Sequence, residues 1–177
     1  LLLLALCAVH PASAGAPRTV TAEKGGGEAW SHLKVRLGNI TEFETQDRPG
    51  MRNNGTGFSG KTPGGAPVAV SFEVSAKGNV SYEDYTVSMK VTYKSTGAVL
   101  LQKVERISMA GGSKNWSYTW SPLDYPGSLS VRLAITGGNP DAFTYFVEGV
   151  VDGGTAPPSI ASPLSSEKIG TSGAAFT

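Results

Sequence analysis

The sequence has a single cysteine, Cys7, and it sits inside an apolar opening run. Once that run is removed as a leader, no cysteine is left. A disulfide framework, a cysteine-based zinc site and a thiol nucleophile are excluded together. Histidine is nearly as scarce: His10 borders the same run, and His32 is then alone. A two-histidine metal site and a pair of catalytic histidines go with it. Charge of one sign is also missing. The formal net charge of +1 points to neither nucleic acid nor an anionic membrane surface. Glycine clusters such as Gly25–Gly26–Gly27 and Gly111–Gly112 are not followed by helical periodicity, so no phosphate-cradling loop is present. No serine occupies a nucleophile elbow. The apolar run itself, Leu1 to Val9, is too short to cross a bilayer.

What is there begins with that run. His10–Pro11 breaks it, and Ala12–Ser13–Ala14 has the small-x-small pattern of a signal-peptidase site. Residues 1–14 therefore read as a secretory signal peptide that lacks its first residues, since no initiator Met is present. The expected location is secreted or on the extracellular face of the cell. Four Asn-x-Ser/Thr sequons fit that compartment, at Asn39, Asn54, Asn79 and Asn115, and each is a candidate N-glycosylation site. The first three are expected in turns or loops. Asn115 has the opposite strand parity to Trp116, so it points outward if the tryptophan points in. At the other end, residues 152–177 are rich in Ser, Thr, Pro, Ala and Gly and cannot form a core; they read as a disordered tail or stalk. Membrane attachment through a further C-terminal segment is left open by Ser172–Gly173–Ala174–Ala175, which stand where a hydrophobic anchor signal could begin.

Between the two ends, residues 15–151 read as one all-β domain. Val68, Val70, Phe72 and Val74 alternate with small or polar residues, as do Tyr85, Val87, Met89, Val91 and Tyr93. Leu33, Val35 and Leu37 form another half-buried strand, and Thr19–Ala22 a short edge strand. Lys94–Ser95–Thr96–Gly97 is a hairpin turn into the run 98–107, whose parity slips between Leu101 and Val104 as a β-bulge would make it. Trp116, Tyr118 and Trp120, then Leu129 to Ile135, then Phe143, Tyr145 and Val147, suggest three consecutive antiparallel strands. Residues 46–65 have almost nothing to bury and read as a long loop. The sum is about seven strands with turns near every tenth residue, the pattern of an antiparallel β-sandwich, with a small barrel as the alternative.

The stretch Leu123–Asp124–Tyr125–Pro126–Gly127–Ser128–Leu129–Ser130–Val131–Arg132–Leu133 resembles the corner into strand F of fibronectin type III and immunoglobulin-like domains. There a Leu-x-Pro-Gly-type turn precedes an alternating strand. The tyrosine of that strand is replaced by Leu129 or Ser130. The resemblance implies an immunoglobulin-like or fibronectin-like sandwich without a disulfide, serving as an extracellular binding or structural module. Trp120–Ser121–Pro122 ahead of a Pro-Gly turn and a Ser/Thr tail is also similar to the N-terminal domain of fungal cell-wall glucan-assembly proteins, and implies the same kind of module.

Candidates for chemistry are few. Glu83, Asp84, Asp124, Asp141 and Glu148 could supply paired carboxylates for glycoside hydrolysis or ligands for Ca²⁺, but they lie mainly in separate turns. Cleavage before His10 would pair a new N-terminal histidine with His32, as in copper oxygenases that attack polysaccharides, but it puts Val9 at a position signal peptidase disfavours. No catalytic, metal or cofactor site is therefore expected. The aromatic face Trp116, Tyr118 and Trp120 is either sandwich core or a flat platform for sugar rings. The expected function is non-enzymatic: adhesion or recognition, with an extracellular protein or glycan as partner and no nucleic acid. The alternative is a carbohydrate- or cell-wall-binding module using the aromatic platform.

Overall fold

A computed structural model describes residues 14–26, 29–78, 84–137 and 143–154. Residues 1–13 of the leader, Asn79, Glu83, Asp141 and the tail from 155 onward lie outside the described residues. Those described contain ten strands and no helix. The strands are β1 (Ala16–Gly26), β2 (Ala29–Ile40), β3 (Glu42–Arg48), β4 (Asn53–Lys61), β5 (Val68–Lys77), β6 (Tyr85–Tyr93), β7 (Val99–Ile107), β8 (Gly112–Trp120), β9 (Ser128–Gly137) and β10 (Phe143–Asp152). They form a four-stranded sheet in the order β1-β2-β5-β8 and a six-stranded sheet in the order β3-β4-β10-β9-β6-β7. All pairings are antiparallel except that of β4 with β10. The fold is a β-sandwich.

Period-2 alternation builds the core. Leu33, Val35 and Leu37 of β2 and Val68, Val70, Phe72 and Val74 of β5 are buried from one sheet. Val87, Met89 and Val91 of β6, Leu129, Val131, Leu133 and Ile135 of β9 and Val147 and Val151 of β10 are buried from the other. Both sheets turn one apolar face inward and a polar face outward, as antiparallel sandwiches do.

Four expectations need correction. The strand count is ten, not about seven. The supposed loop over 46–65 holds the end of β3 and all of β4. β4 is rich in Gly and Asn, which carry no strand pattern; its ladder to β10, register Gly57 to Glu148, fixes it instead. Second, β8 is not a sheet neighbour of β9. It pairs with β5, and the chain crosses to the other sheet before β9. Alternation reports which side of a strand is apolar, not which sheet holds the strand. Third, the irregularity of β7 lies near Leu100, where Val91 pairs with Leu101 and Thr92 with Val99. The apparent slip arises because Val104 points outward and is exposed, while Lys103 and Glu105 share the inward side of this edge strand with Leu101 and Ile107. Inward charges on an edge strand discourage further pairing. Fourth, the ordered domain runs past 151. Gly153 donates its N–H to the Gly127 carbonyl (2.9 Å) and accepts from Gly65 N (3.0 Å) and from Thr62 Oγ1 (2.8 Å).

The turn expected at 94–97 is present: Gly97 has φ +71° and donates to the Tyr93 carbonyl at 2.8 Å. Positive φ at that position suits a residue without Cβ.

Candidate functional site

The aromatic strand is placed first. β8 is the edge of its sheet, and Trp120, Tyr118 and Trp116 stand opposite Val68, Val70 and Phe72 of β5, on the inward face. Trp120 has 0% of its surface exposed, so it belongs to the core. Trp116 and Tyr118 are half-buried and pack against that core where the two sheets open at the β7–β8 side. The three rings therefore do not make an exposed platform. The indole Nε1 of Trp120 has no hydrogen-bond partner among the described residues. The indole of Trp116 instead donates to Glu105 Oε1 at 3.4 Å, and Lys114 Nζ meets Glu105 Oε2 at 2.7 Å. These contacts bridge the two sheets at their open edge. The Lys114 hydrogen bond, with the Lys114 charge and the Trp116 indole adding to it against the opposing effect of burial, holds the Glu105 carboxyl below its ordinary value. Burial, then the neighbouring Tyr125, pushes the Tyr118 phenol up.

The sequons divide by environment. Asn115 is exposed on the outer face of the β1-β2-β5-β8 sheet, opposite in parity to Trp116. Asn39 and Asn54 are not in loops. Asn39 lies near the end of β2 with φ 57°, and its Nδ2 donates to the Pro67 carbonyl at 3.0 Å. Asn54 lies in β4; its Oδ1 accepts from Gly50 N at 2.5 Å and its Nδ2 donates to the Tyr145 hydroxyl at 3.0 Å. His32 sits on β2 with Nδ1 2.7 Å from Glu23 of β1. Among the described residues no three His, Cys, Asp or Glu side chains are grouped as a metal site would need. Asp84 precedes β6 and Asp124 lies in the β8–β9 turn, while Glu148 is on the outer face of β10. The described carboxylates are not brought together as a pair.

The site that sequence reasoning missed is on the outer face of the six-stranded sheet. Backbone register aligns Gln102, Lys90, Arg132, Glu148, Gly57 and Gln46 in one row across β7, β6, β9, β10, β4 and β3. The adjacent row includes Thr92, Ser130, Val150 and Ser59. Lys90, Arg132 and Glu148 of the first row and Thr92, Ser130 and Val150 of the second line an open groove of about 310 Å³, with Arg48 at its side. Glu148 is its centre: Oε1 accepts from Arg48 Nη1 at 2.5 Å and Oε2 accepts from Arg132 Nη1. Arg48 belongs to β3, two strands from β10, and reaches Glu148 across Gly57, where a Cβ would stand 2.7 Å from its Nε. The Arg132 guanidinium also lies over the ring of Phe146, 4.9 Å from its centroid. Lys90 is exposed and has no ion-pair partner among the described residues. Only register assembles these groups, and single-sequence patterning does not display register.

No family model matches the chain. No curated protein matches it either. Among solved structures it is similar to a β-glucosidase from Listeria innocua, at 12% identity and a TM-score of 0.27, covering 68% of this chain and 17% of that one. It is similar to the C-terminal domain of Wzt at 15% identity and a TM-score of 0.27, covering 78% of this chain and 87% of that one. The chain thus spans well under a quarter of the glucosidase, and neither likeness is close enough to carry an argument.

Proposed function

We propose that this chain is a non-enzymatic recognition domain of a secreted or cell-surface glycoprotein, with an immunoglobulin-like or fibronectin-like sandwich as its scaffold. The observation that carries the reading is the groove on the six-stranded sheet, whose charged groups are held on strands and open to solvent. Strand order supports the scaffold. With β2, β5, β6, β7, β8, β9 and β10 lettered A, B, C, C′, E, F and G, the sheets read A-B-E and C′-C-F-G. That order is similar to the immunoglobulin arrangement without strand D. β1, β3 and β4 are additions, and β4 runs parallel to the last strand. The exposure of Asn115 supports the division of labour: a glycan there would cover the opposite sheet and leave the groove free.

The alternative, a sugar platform of Trp116, Tyr118 and Trp120, is disfavoured by the burial of Trp120. The test is expression with its leader in a eukaryotic host. Intact mass before and after N-glycan removal should show a chain beginning at Gly15 and carrying glycan at Asn115. The secreted protein, labelled, should bind cells or extracellular matrix. Retention of an unprocessed, unglycosylated chain inside the cell would overturn the reading.

A further inference from the structure

Resting on that reading, we propose that the groove over β10, β9 and β6 binds an acidic polysaccharide, through its charge rather than through stacking on aromatic rings. The argument is a count of donors against acceptors. Each arginine gives one Nη1 to Glu148, and each guanidinium carries further N–H donors in a fixed fork of the kind that suits a carboxylate or sulfate. Lys90 adds an ammonium beside Arg132, its register neighbour. Glu148 is the groove's carboxylate, and both its oxygens are already occupied. Its effect is to position the two guanidinium groups. The other acidic side chains of this face lie toward its β3 side and the ends of the strands. Glu42 meets Lys61 at 3.4 Å, Asp152 accepts from Ser128, and Glu44 stands opposite Ser59.

A groove rich in donors and poor in acceptors selects against a peptide. The strands beneath it are interior, so their backbone groups are consumed by the two flanking ladders. The N–H groups of a bound peptide would find few acceptors and would be desolvated at a loss. A polysaccharide does not face that loss. Its hydroxyls both donate and accept, matching Ser130 and Thr92. Acid groups recurring along it meet cations set on neighbouring strands, which lie ~4.8 Å apart. No exposed aromatic ring lines the groove; the Phe146 ring is covered by Arg132.

The test uses the secreted full chain and calorimetric titration with polygalacturonate, neutral dextran and poly-L-glutamate, at low and at physiological salt. The expected result is binding to polygalacturonate that weakens with salt and is absent for dextran. Arg132→Ala and Lys90→Ala should each weaken it roughly tenfold or more, the range of a lost charge-assisted hydrogen bond. Lys90→Arg should restore binding, and Lys77→Ala, on the other sheet, should change nothing. Circular dichroism confirms that the variants fold. Equal binding to dextran, or affinities unmoved by both alanine variants, would overturn the proposal. Tighter binding to poly-L-glutamate would overturn it in favour of an acidic protein partner. No binding to any of the three by a secreted chain that still binds cells would overturn it and leave the recognition reading intact.

Discussion

Trp120 separates the two meanings of the aromatic strand by a pair of substitutions. The side chain is fully buried opposite Val68 and carries an indole N–H with no partner among the described residues. Trp120→Ala should destabilise the domain by about 3–5 kcal/mol, as a large buried ring replaced by a methyl group does. Trp120→Phe behaves differently, because two terms oppose each other. Phe lacks about three ring atoms, roughly 2 kcal/mol of transfer free energy at ~0.8 kcal/mol per buried group. The residual cavity adds about 1 kcal/mol. Removing the unpaired N–H returns about 1–3 kcal/mol. The net expectation is a loss of about 0–2 kcal/mol, well short of the alanine variant. Denaturant unfolding followed by far-ultraviolet circular dichroism measures both, through a midpoint shift at unchanged slope. If phenylalanine proves as damaging as alanine, the indole N–H makes a bond in the folded protein that this reasoning omits. If alanine is harmless, Trp120 is not core and the sugar-platform reading returns.

Further expectations concern single groups. Gly149→Ala places a Cβ 2.2 Å from the Phe58 carbonyl oxygen and 2.4 Å from its ring, so it should destabilise by about 1–3 kcal/mol or more. Gly97→Ala meets nothing within 4 Å and bears only its φ of +71°, about 1–2 kcal/mol; thermal unfolding should rank the two in that order, and the reverse order would contradict the contacts. The folded pKa of Glu105 is depressed, so its pairing with Lys114 stabilises the protein above the unfolded pKa and is lost as pH falls through the folded one. The stability gap between the native chain and Lys114→Met should therefore shrink on acidification and with added salt, and a gap that is flat with pH would refute the coupling. In unglycosylated protein, Asn54→Gln should destabilise by about 1–2 kcal/mol through its two lost hydrogen bonds. Asn115→Gln should have almost no effect, and calorimetric melting compares the two.

The fold class was legible because β5 and β6 alternate cleanly and β9 nearly so, and alternation is a direct print of a sheet with one buried face. The outward aim of Asn115 was legible for the same reason. What alternation does not encode is pairing. β8 alternates as β9 does yet lies in the other sheet, since both sheets turn an apolar face toward a shared core. β7 looked slipped because an outward valine and inward charges invert the usual rule at an edge. The groove was illegible because Arg48, Lys90, Arg132 and Glu148 meet only through the ladders.

The strand missed within 46–65 and the missed groove have one cause in β4. Its sequence, Asn53–Asn54–Gly55–Thr56–Gly57–Phe58–Ser59–Gly60–Lys61, offers Phe58 as its one large inward side chain. Glycine lowers strand propensity and removes the alternation by which a strand is found. Two of the glycines, Gly55 and Gly57, leave the outer face of β4 without side chains at neighbouring positions. Over Gly55 lies the ring of Phe146, where a Cβ would come within 2.5 Å of it, and over Gly57 passes the Arg48 side chain. A larger residue at Gly57 would stand between Arg48 and Glu148 and divide the row. The residues that hide β4 as a strand are thus the ones that let β3 and β10 share an ion pair, and the groove exists where the sequence is least strand-like.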